Sequence, residues 1–138
     1  MSETKFRKIN NVAGWILFSV ALFTYGLTVE PTASYWDAGE YISTSAKLQI
    51  GHPPGAPFHQ MMGAIFSLFA PSNDLIALAV NFLSVVSSAF VILFLFWSTT
   101  LILNKIFKEN EFKNSWAIIL SASTVSYTHL RAHETLLD

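Results

Sequence analysis

The sequence has no cysteine and few charged residues, and both absences restrict what the protein can be. Without cysteine the chain can form neither disulfides nor thiolate metal sites. Only 12% of its residues are charged, whereas an ordinary soluble domain carries roughly 25%, so an ordinary soluble fold is excluded. The formal net charge of −1 provides no basic field for nucleic acid, and we expect no nucleic-acid partner.

The sequence contains two long runs without a charged residue. Val12–Val29 holds no charged residue over 18 positions, and Leu75–Asn104 holds none over 30. Because a span needs roughly 20 apolar residues, we predict an all-α integral membrane protein with about three transmembrane helices and a truncated fourth. The predicted segments are an N-terminus at 1–11, a span at 12–29, an outer loop at 30–54, a short span at 55–70, a span at 75–104, a loop at 105–114, the start of a helix at 115–124 and a tail at 125–138.

Basic residues before the first run set the expected orientation. Lys5, Arg7 and Lys8 stand in the N-terminal segment, and positive charge stays on the cytoplasmic side. We therefore expect a cytoplasmic N-terminus and an outer loop on the opposite face of the membrane. A signal peptide is the alternative interpretation of the first run. If Phe58–Ala70 only dips in and returns, the basic loop at 105–114 lies inside instead of outside.

The polar stretch Ser34–Pro57 interrupts the apolar sequence. Ser34 is a candidate N-cap for a short helix that reaches Gln49 along the outer interface. The acids Asp37 and Glu40 are three residues apart, so they share one face of that helix. A partly shielded carboxylate can serve as a general base; a helix cap with a solvated acid is the alternative.

Other side chains in this stretch also have two interpretations. Trp36 is a candidate substrate contact or an ordinary interfacial aromatic residue. Lys47 can pair with a lipid phosphate or extend towards a headgroup without a specific role. Pro53 and Pro54 stiffen the backbone and either aim His52 towards the acids, or His52 only caps the turn.

The C-terminal tail differs abruptly in polarity from the segment before it. Its peptide Val125–Thr135, VSYTHLRAHET, is identified as the in-frame translation of a common transposase-based sequencing adapter. We therefore exclude 125–138 from the fold, including His129 and His133, whose i, i+4 spacing would otherwise suggest a metal site. The natural sequence is then expected to continue beyond Thr124, and the chain to be an N-terminal fragment.

Two motifs resemble a known family. WDAGEYI, followed by KLQIGHPPGAP, is similar to the N-terminus of a bacterial multispanning membrane family of unknown function. That family is related to animal transmembrane protein O-mannosyltransferases and, more distantly, to the enzymes of the GT-C fold. The resemblance covers about residues 12–104 and implies a multi-pass protein of the bacterial inner membrane.

The resemblance implies an activity and roles for residues. The expected reaction transfers a sugar from a polyprenyl-phosphate donor in the lipid bilayer to a Ser or Thr hydroxyl of an exported protein acceptor. Asp37 takes the place of the acid that deprotonates or orients the acceptor, and Glu40 is the second candidate. His52, Pro53 and Pro54 match the motif that shapes the site. The two acids are adjacent in the mannosyltransferase pattern but separated here, which leaves their division of labour open; no cofactor or metal is implied.

Two other functions remain open at this point. A non-catalytic membrane subunit would bind a lipid-linked glycan through the same outer loop. A transporter would place its acids inside the spans, whereas the predicted spans hold no Lys, Arg, Asp or Glu, which argues against this function. The fragment alone is expected to be inactive.

Overall fold

A computed structural model describes residues 3–33, 36–106 and 115–134 of the chain, with side chains of the last segment described for 117–128. Its helices are α1 Glu3–Leu27, α2 Ala38–Lys47, α3 Pro57–Ser67, a 3-10 turn Asn73–Leu75, α4 Ile76–Ile106 and α5 Ser115–Glu134. No strand occurs in these described ranges, so the all-α prediction is confirmed for them.

Within the described ranges, two helices are long and apolar enough to cross a membrane: α1, and α4 with the 3-10 turn before it. The 31 residues of α4 rise about 46 Å at 1.5 Å per residue, well beyond the roughly 30 Å of a hydrocarbon core. The helix α1 begins at Glu3, so it includes most of the segment predicted as a polar N-terminus.

The short third span at 55–70 remains a prediction, and α3 gives it little support. Its 11 residues rise only about 16 Å, roughly half of the hydrocarbon thickness. Pro57 begins this helix, where its missing N–H costs no hydrogen bond. Residues 68–70 lie outside the helices, although they belong to the same apolar run.

The described chain divides into two compact units. One comprises residues 1–23 and 88–138, and its core contains Phe6 from α1, Phe96 from α4 and the α5 residues Ile118, Ile119 and Ala122. In this unit α1 and α4 run antiparallel, because Phe18 stacks near Phe90 whereas the earlier Trp15 contacts the later Trp97.

The second unit, residues 24–87, contains the polar stretch. Here the loop after α1 is attached to the start of α4, because the Asn81 side-chain amide donates to the Glu30 carbonyl at 2.8 Å and to the Thr32 carbonyl at 2.9 Å. This attachment keeps the residues that lead into α2 close to the first turns of α4.

The helix α2 begins later than its sequence suggests. Asp37, not Ser34, occupies the N-cap position, and the helix ends at Lys47 before Leu48, which takes a left-handed conformation with φ of 50°. Ser34 lies outside the described residues. The predicted loop at 105–114 is described only as far as Ile106, the end of α4, and the backbone of α5 continues through the predicted tail to Glu134. The side chains of Trp116, His129 and His133 are outside the described part.

Candidate functional site

The N-terminus of α2 exposes an acid beside a large aromatic ring. Asp37 stands at the N-cap, yet its carboxylate makes no capping hydrogen bond, and the side chain is exposed. Trp36, the residue before it, is 100% exposed. A carboxylate at this position is stabilised by the helix dipole, and because it is not used as a cap it can accept a proton or a hydrogen bond from a ligand.

The second acid of the motif is held by the histidine. Both oxygens of Glu40 contact His52: Oε1 accepts a hydrogen bond from the backbone N–H at 2.6 Å, and Oε2 lies 2.7 Å from Nδ1 of the ring. Because an ionised carboxylate can only accept, Nδ1 is the donor. The contact joins α2 to a residue twelve positions later, across the loop that ends the helix.

This pair moves the pKa of both partners. The hydrogen bond from the His52 backbone, followed by that from its ring, holds the pKa of Glu40 below its ordinary value of 4.5. The hydrogen bond to Glu40, then the charge of Glu40 and finally that of Asp37 raise the pKa of His52 above its ordinary value of 6.5. The two acids and the imidazole therefore form one electrostatic group on the surface of the unit.

A tight turn carries His52. The Gly55 N–H donates to the His52 carbonyl at 2.8 Å, which closes a four-residue turn around Pro53 and Pro54, whose shared peptide bond is cis. Gly55 has a φ of 70°, a left-handed conformation that glycine adopts without cost. Both prolines are exposed, so the proline rings of the turn are accessible to solvent.

The helix α3 supports the turn from behind. Gln60 is buried and donates from Nε2 to the Thr44 hydroxyl at 3.1 Å, and this hydroxyl donates to the Glu40 carbonyl at 2.8 Å. A Cβ on Gly51 would lie 2.7 Å from Gln60 Nε2 and 3.2 Å from Glu40 Oε1. A larger residue at the start of the turn would therefore displace the Gln60 amide from its position beside Thr44.

Ring and small-residue contacts complete the packing of α2 on α3. The rings of Tyr41 and His59 meet edge to face with centroids 5.5 Å apart. A Cβ on Gly63 would fall 2.6 Å from the Ser45 hydroxyl oxygen, so the two backbones are in close contact. This pairing makes α2, α3 and the turn between them one structural element.

The structure brings together only part of the predicted set. Asp37, Glu40, His52 and the two prolines share one region, whereas Lys47 is in the last turn of α2, seven residues or about 10 Å of helix beyond Glu40. Lys47 is exposed and forms no ion pair among the described residues. Nor does that part of the chain hold three His, Asp or Glu side chains placed to bind a metal ion.

Three residues of the site region cannot be assigned to it from the sequence alone. Thr44 and Gln60 look like ordinary polar residues of short helices, and Asn81 like one amide in an apolar run. A polar side chain inside a predicted span is a useful indication, because such residues usually have a partner. Which partner it has depends on contacts between distant parts of the chain.

Comparison with known proteins identifies the family. The sequence model described as the protein O-mannosyl-transferase TMEM260 N-terminal domain matches residues 37–132. The chain belongs to this family.

A curated relative supports the same assignment. The chain is 31% identical over 116 residues to protein O-mannosyl-transferase tmem260 of Dictyostelium discoideum, which covers 83% of the chain and 13% of the relative. The chain thus spans about an eighth of the length of this relative. No solved structure matches the chain.

The family match includes most of the candidate site. It begins at Asp37 and so contains Glu40, His52 and both prolines, whereas Trp36 lies just before it. At its other end it includes residues 125–132, within the predicted adapter-derived tail, whose origin stays a prediction. The resemblance to O-mannosyltransferases is confirmed, and a glycosyltransferase-like role applies at the level of the family.

Proposed function

We propose that the chain is the N-terminal part of a membrane glycosyltransferase of the GT-C type that transfers a sugar from a polyprenyl-phosphate donor to a Ser or Thr hydroxyl of an exported protein. The observation that carries this proposal is the exposed carboxylate of Asp37, which makes no capping hydrogen bond and stands at the first position of the family match. The neighbouring Glu40–His52 pair supports it, because it fixes the loop beside that carboxylate.

In this reaction Asp37 accepts the proton of the acceptor hydroxyl. The hydroxyl oxygen forms a bond to C1 of the sugar while the bond from C1 to the phosphate oxygen breaks, and the polyprenyl phosphate leaves with the electron pair. General-base assistance of this kind contributes about 10²- to 10⁴-fold in rate. Trp36, with its ring fully exposed, is proposed to stack on the sugar, and Lys47 to contact the phosphate.

We further propose that the site lies on the outer face of a membrane, which in a bacterium is the inner membrane, with two crossings in the described chain. The helix α3 is too short to cross, so residues 28–72 stay on the side where α1 ends. This arrangement returns α4 to the cytoplasm and leaves the basic segment after it inside, as the charge rule requires.

The test of the activity uses the full-length protein. Asp37→Asn keeps the shape of the side chain but removes its basicity, and we expect the turnover of donor and acceptor to fall at least about 10²-fold with unchanged membrane insertion and abundance. Asp74→Asn changes an exposed acid of the 3-10 turn and serves as the matched control. Full transfer by Asp37→Asn would leave the chain as a glycan-binding subunit and reject the catalytic assignment.

A further inference from the structure

The two acids of the WDAGEYI motif are in different chemical situations. Each oxygen of Glu40 accepts a hydrogen bond from His52, at 2.6 Å and 2.7 Å, whereas no hydrogen bond to the carboxylate of Asp37 is found among the described residues. Charge-assisted hydrogen bonds are the strongest that a carboxylate makes. A carboxylate held in this way is a poor base, because protonation removes its charge and so weakens both bonds.

We infer that Glu40 is a positioning residue that fixes the Gly51–Gly55 turn against α2 and leaves Asp37 alone to act on the acceptor hydroxyl. This inference rests on the proposed function. It assigns the division of labour that the spacing of the two acids leaves open.

The position of Glu40 explains how it can reach the turn. It is the third residue of α2, a place from which a Glu side chain often turns back to the N-cap. Here the side chain extends to the backbone N–H of His52 instead. The missing side chain of Gly51 makes room for it, because a Cβ there would lie 3.2 Å from Oε1.

The turn is attached on its other side as well. Gln60 of α3 packs behind Gly51 and donates to Thr44, whose hydroxyl donates to the Glu40 carbonyl. Glu40 thus joins the network through its side chain and its backbone. Releasing its carboxylate frees the turn relative to the N-terminus of α2, where Asp37 is located, without changing Asp37 itself.

A double-mutant cycle in the full-length protein tests the inference. Glu40→Gln and His52→Ala each remove one partner of the charged contact between Glu40 Oε2 and His52 Nδ1. We expect each to reduce kcat/KM about 10- to 100-fold, the effect of misplacing a reacting group by about 1 Å. The double variant should be no worse than either single variant, because one contact is lost in all three. Multiplied losses in the double variant would overturn the inference.

Two measurements separate this inference from the proposed function. The ring of His52, followed by NMR, should titrate at a lower pH in Glu40→Gln than in the unsubstituted protein, whether or not Asp37 is catalytic. The fall of kcat at low pH, where the catalytic carboxylate becomes protonated, should persist in Glu40→Gln and disappear in Asp37→Asn.

If Glu40→Gln is as inactive as Asp37→Asn, with KM and the His52 titration unchanged, then Glu40 is a second catalytic acid and the inference fails while the proposed function stands. If Asp37→Asn is fully active, the proposed function fails.

Discussion

Gly63 of α3 lies directly against Ser45 of α2: a Cβ built on the glycine would be 2.6 Å from the serine Oγ and 2.9 Å from its Cβ. Neither atom is the far end of a flexible side chain, so a larger residue at position 63 has to push the two helices apart. The same Cβ would lie 3.4 Å from Val80 Cγ1 of α4. The packing of the site region therefore depends on this one missing methyl group.

Gly63→Ala is expected to destabilise the chain by about 1–3 kcal/mol, the usual cost of overpacking. The midpoint of denaturant unfolding in detergent measures this change. Gly39→Ala is the matched control, because a Cβ there meets only Ala33 at an ordinary 3.7 Å, and replacing a helical glycine should stabilise by roughly 0.5–1 kcal/mol. Equal effects of the two substitutions would show that the α2–α3 contact is looser than described.

Asn81→Ala removes both hydrogen bonds to the loop after α1. Each such bond contributes about 0.5–1.5 kcal/mol, and the loop is exposed, so we expect a loss near the lower end, about 1 kcal/mol. Hydrogen exchange should become faster across residues 28–33, which lead towards Asp37. Ser84→Ala changes an exposed hydroxyl one turn further along α4 and should leave this exchange unchanged; faster exchange in both variants would contradict the attachment.

The contribution of the Glu40–His52 pair should depend on pH in a defined window. The lowered pKa of Glu40 means that its stabilisation is present above pH 4.5 and is lost as the pH falls through the folded-state value. The raised pKa of His52 means that its stabilisation is complete below pH 6.5 and is lost as the pH rises through the folded-state value. The destabilisation caused by His52→Asn should therefore be greatest between pH 4.5 and 6.5.

Unfolding of the two proteins at a series of pH values measures this difference. The same His52→Asn change made in a Glu40→Gln background is the control, and there the maximum should disappear. A maximum that persists without the carboxylate would assign the effect to another group, of which the facing acid Asp37 is the nearest candidate.

Membrane topology can be tested with single cysteines, because the 138-residue sequence has none. Ala33→Cys, Ser72→Cys and Asn104→Cys place a thiol at three exposed positions. With two crossings, an impermeant maleimide added to intact cells labels positions 33 and 72 from the same side and position 104 only after permeabilisation. Three crossings would instead put positions 33 and 104 on one side and position 72 on the other.

Composition predicted the coarse architecture because a charge-free run can be recognised from neighbouring residues, without knowledge of contacts between distant parts of the chain. The charge-free run at Leu75–Asn104 contains nearly all of α4. The run at 55–70 was a weaker guide, since freedom from charge does not show where a helix ends. There the helix occupies only Pro57–Ser67.

The candidate site was predicted as a set of residues, with His52 aimed towards the acids as one alternative, but the acid that His52 contacts was not predicted. Proximity in the sequence grouped Asp37 with Glu40, and the structure separates them by assigning Glu40 to His52. That pairing depends on the conformation of the intervening loop and of the turn at Pro53–Pro54. Likewise the amide of Asn81 reaches carbonyl groups about 50 residues earlier, and no local pattern encodes such a contact.

The attachment of Thr32 to Asn81 also orders the events of biosynthesis. The two residues are 49 positions apart, so the loop after α1 leaves the ribosome well before the residue that anchors it. In the interval Asp37 is already translated but its surroundings are unfinished. The site can mature only after the first turns of α4 have been made, which couples its assembly to the synthesis of the second long helix.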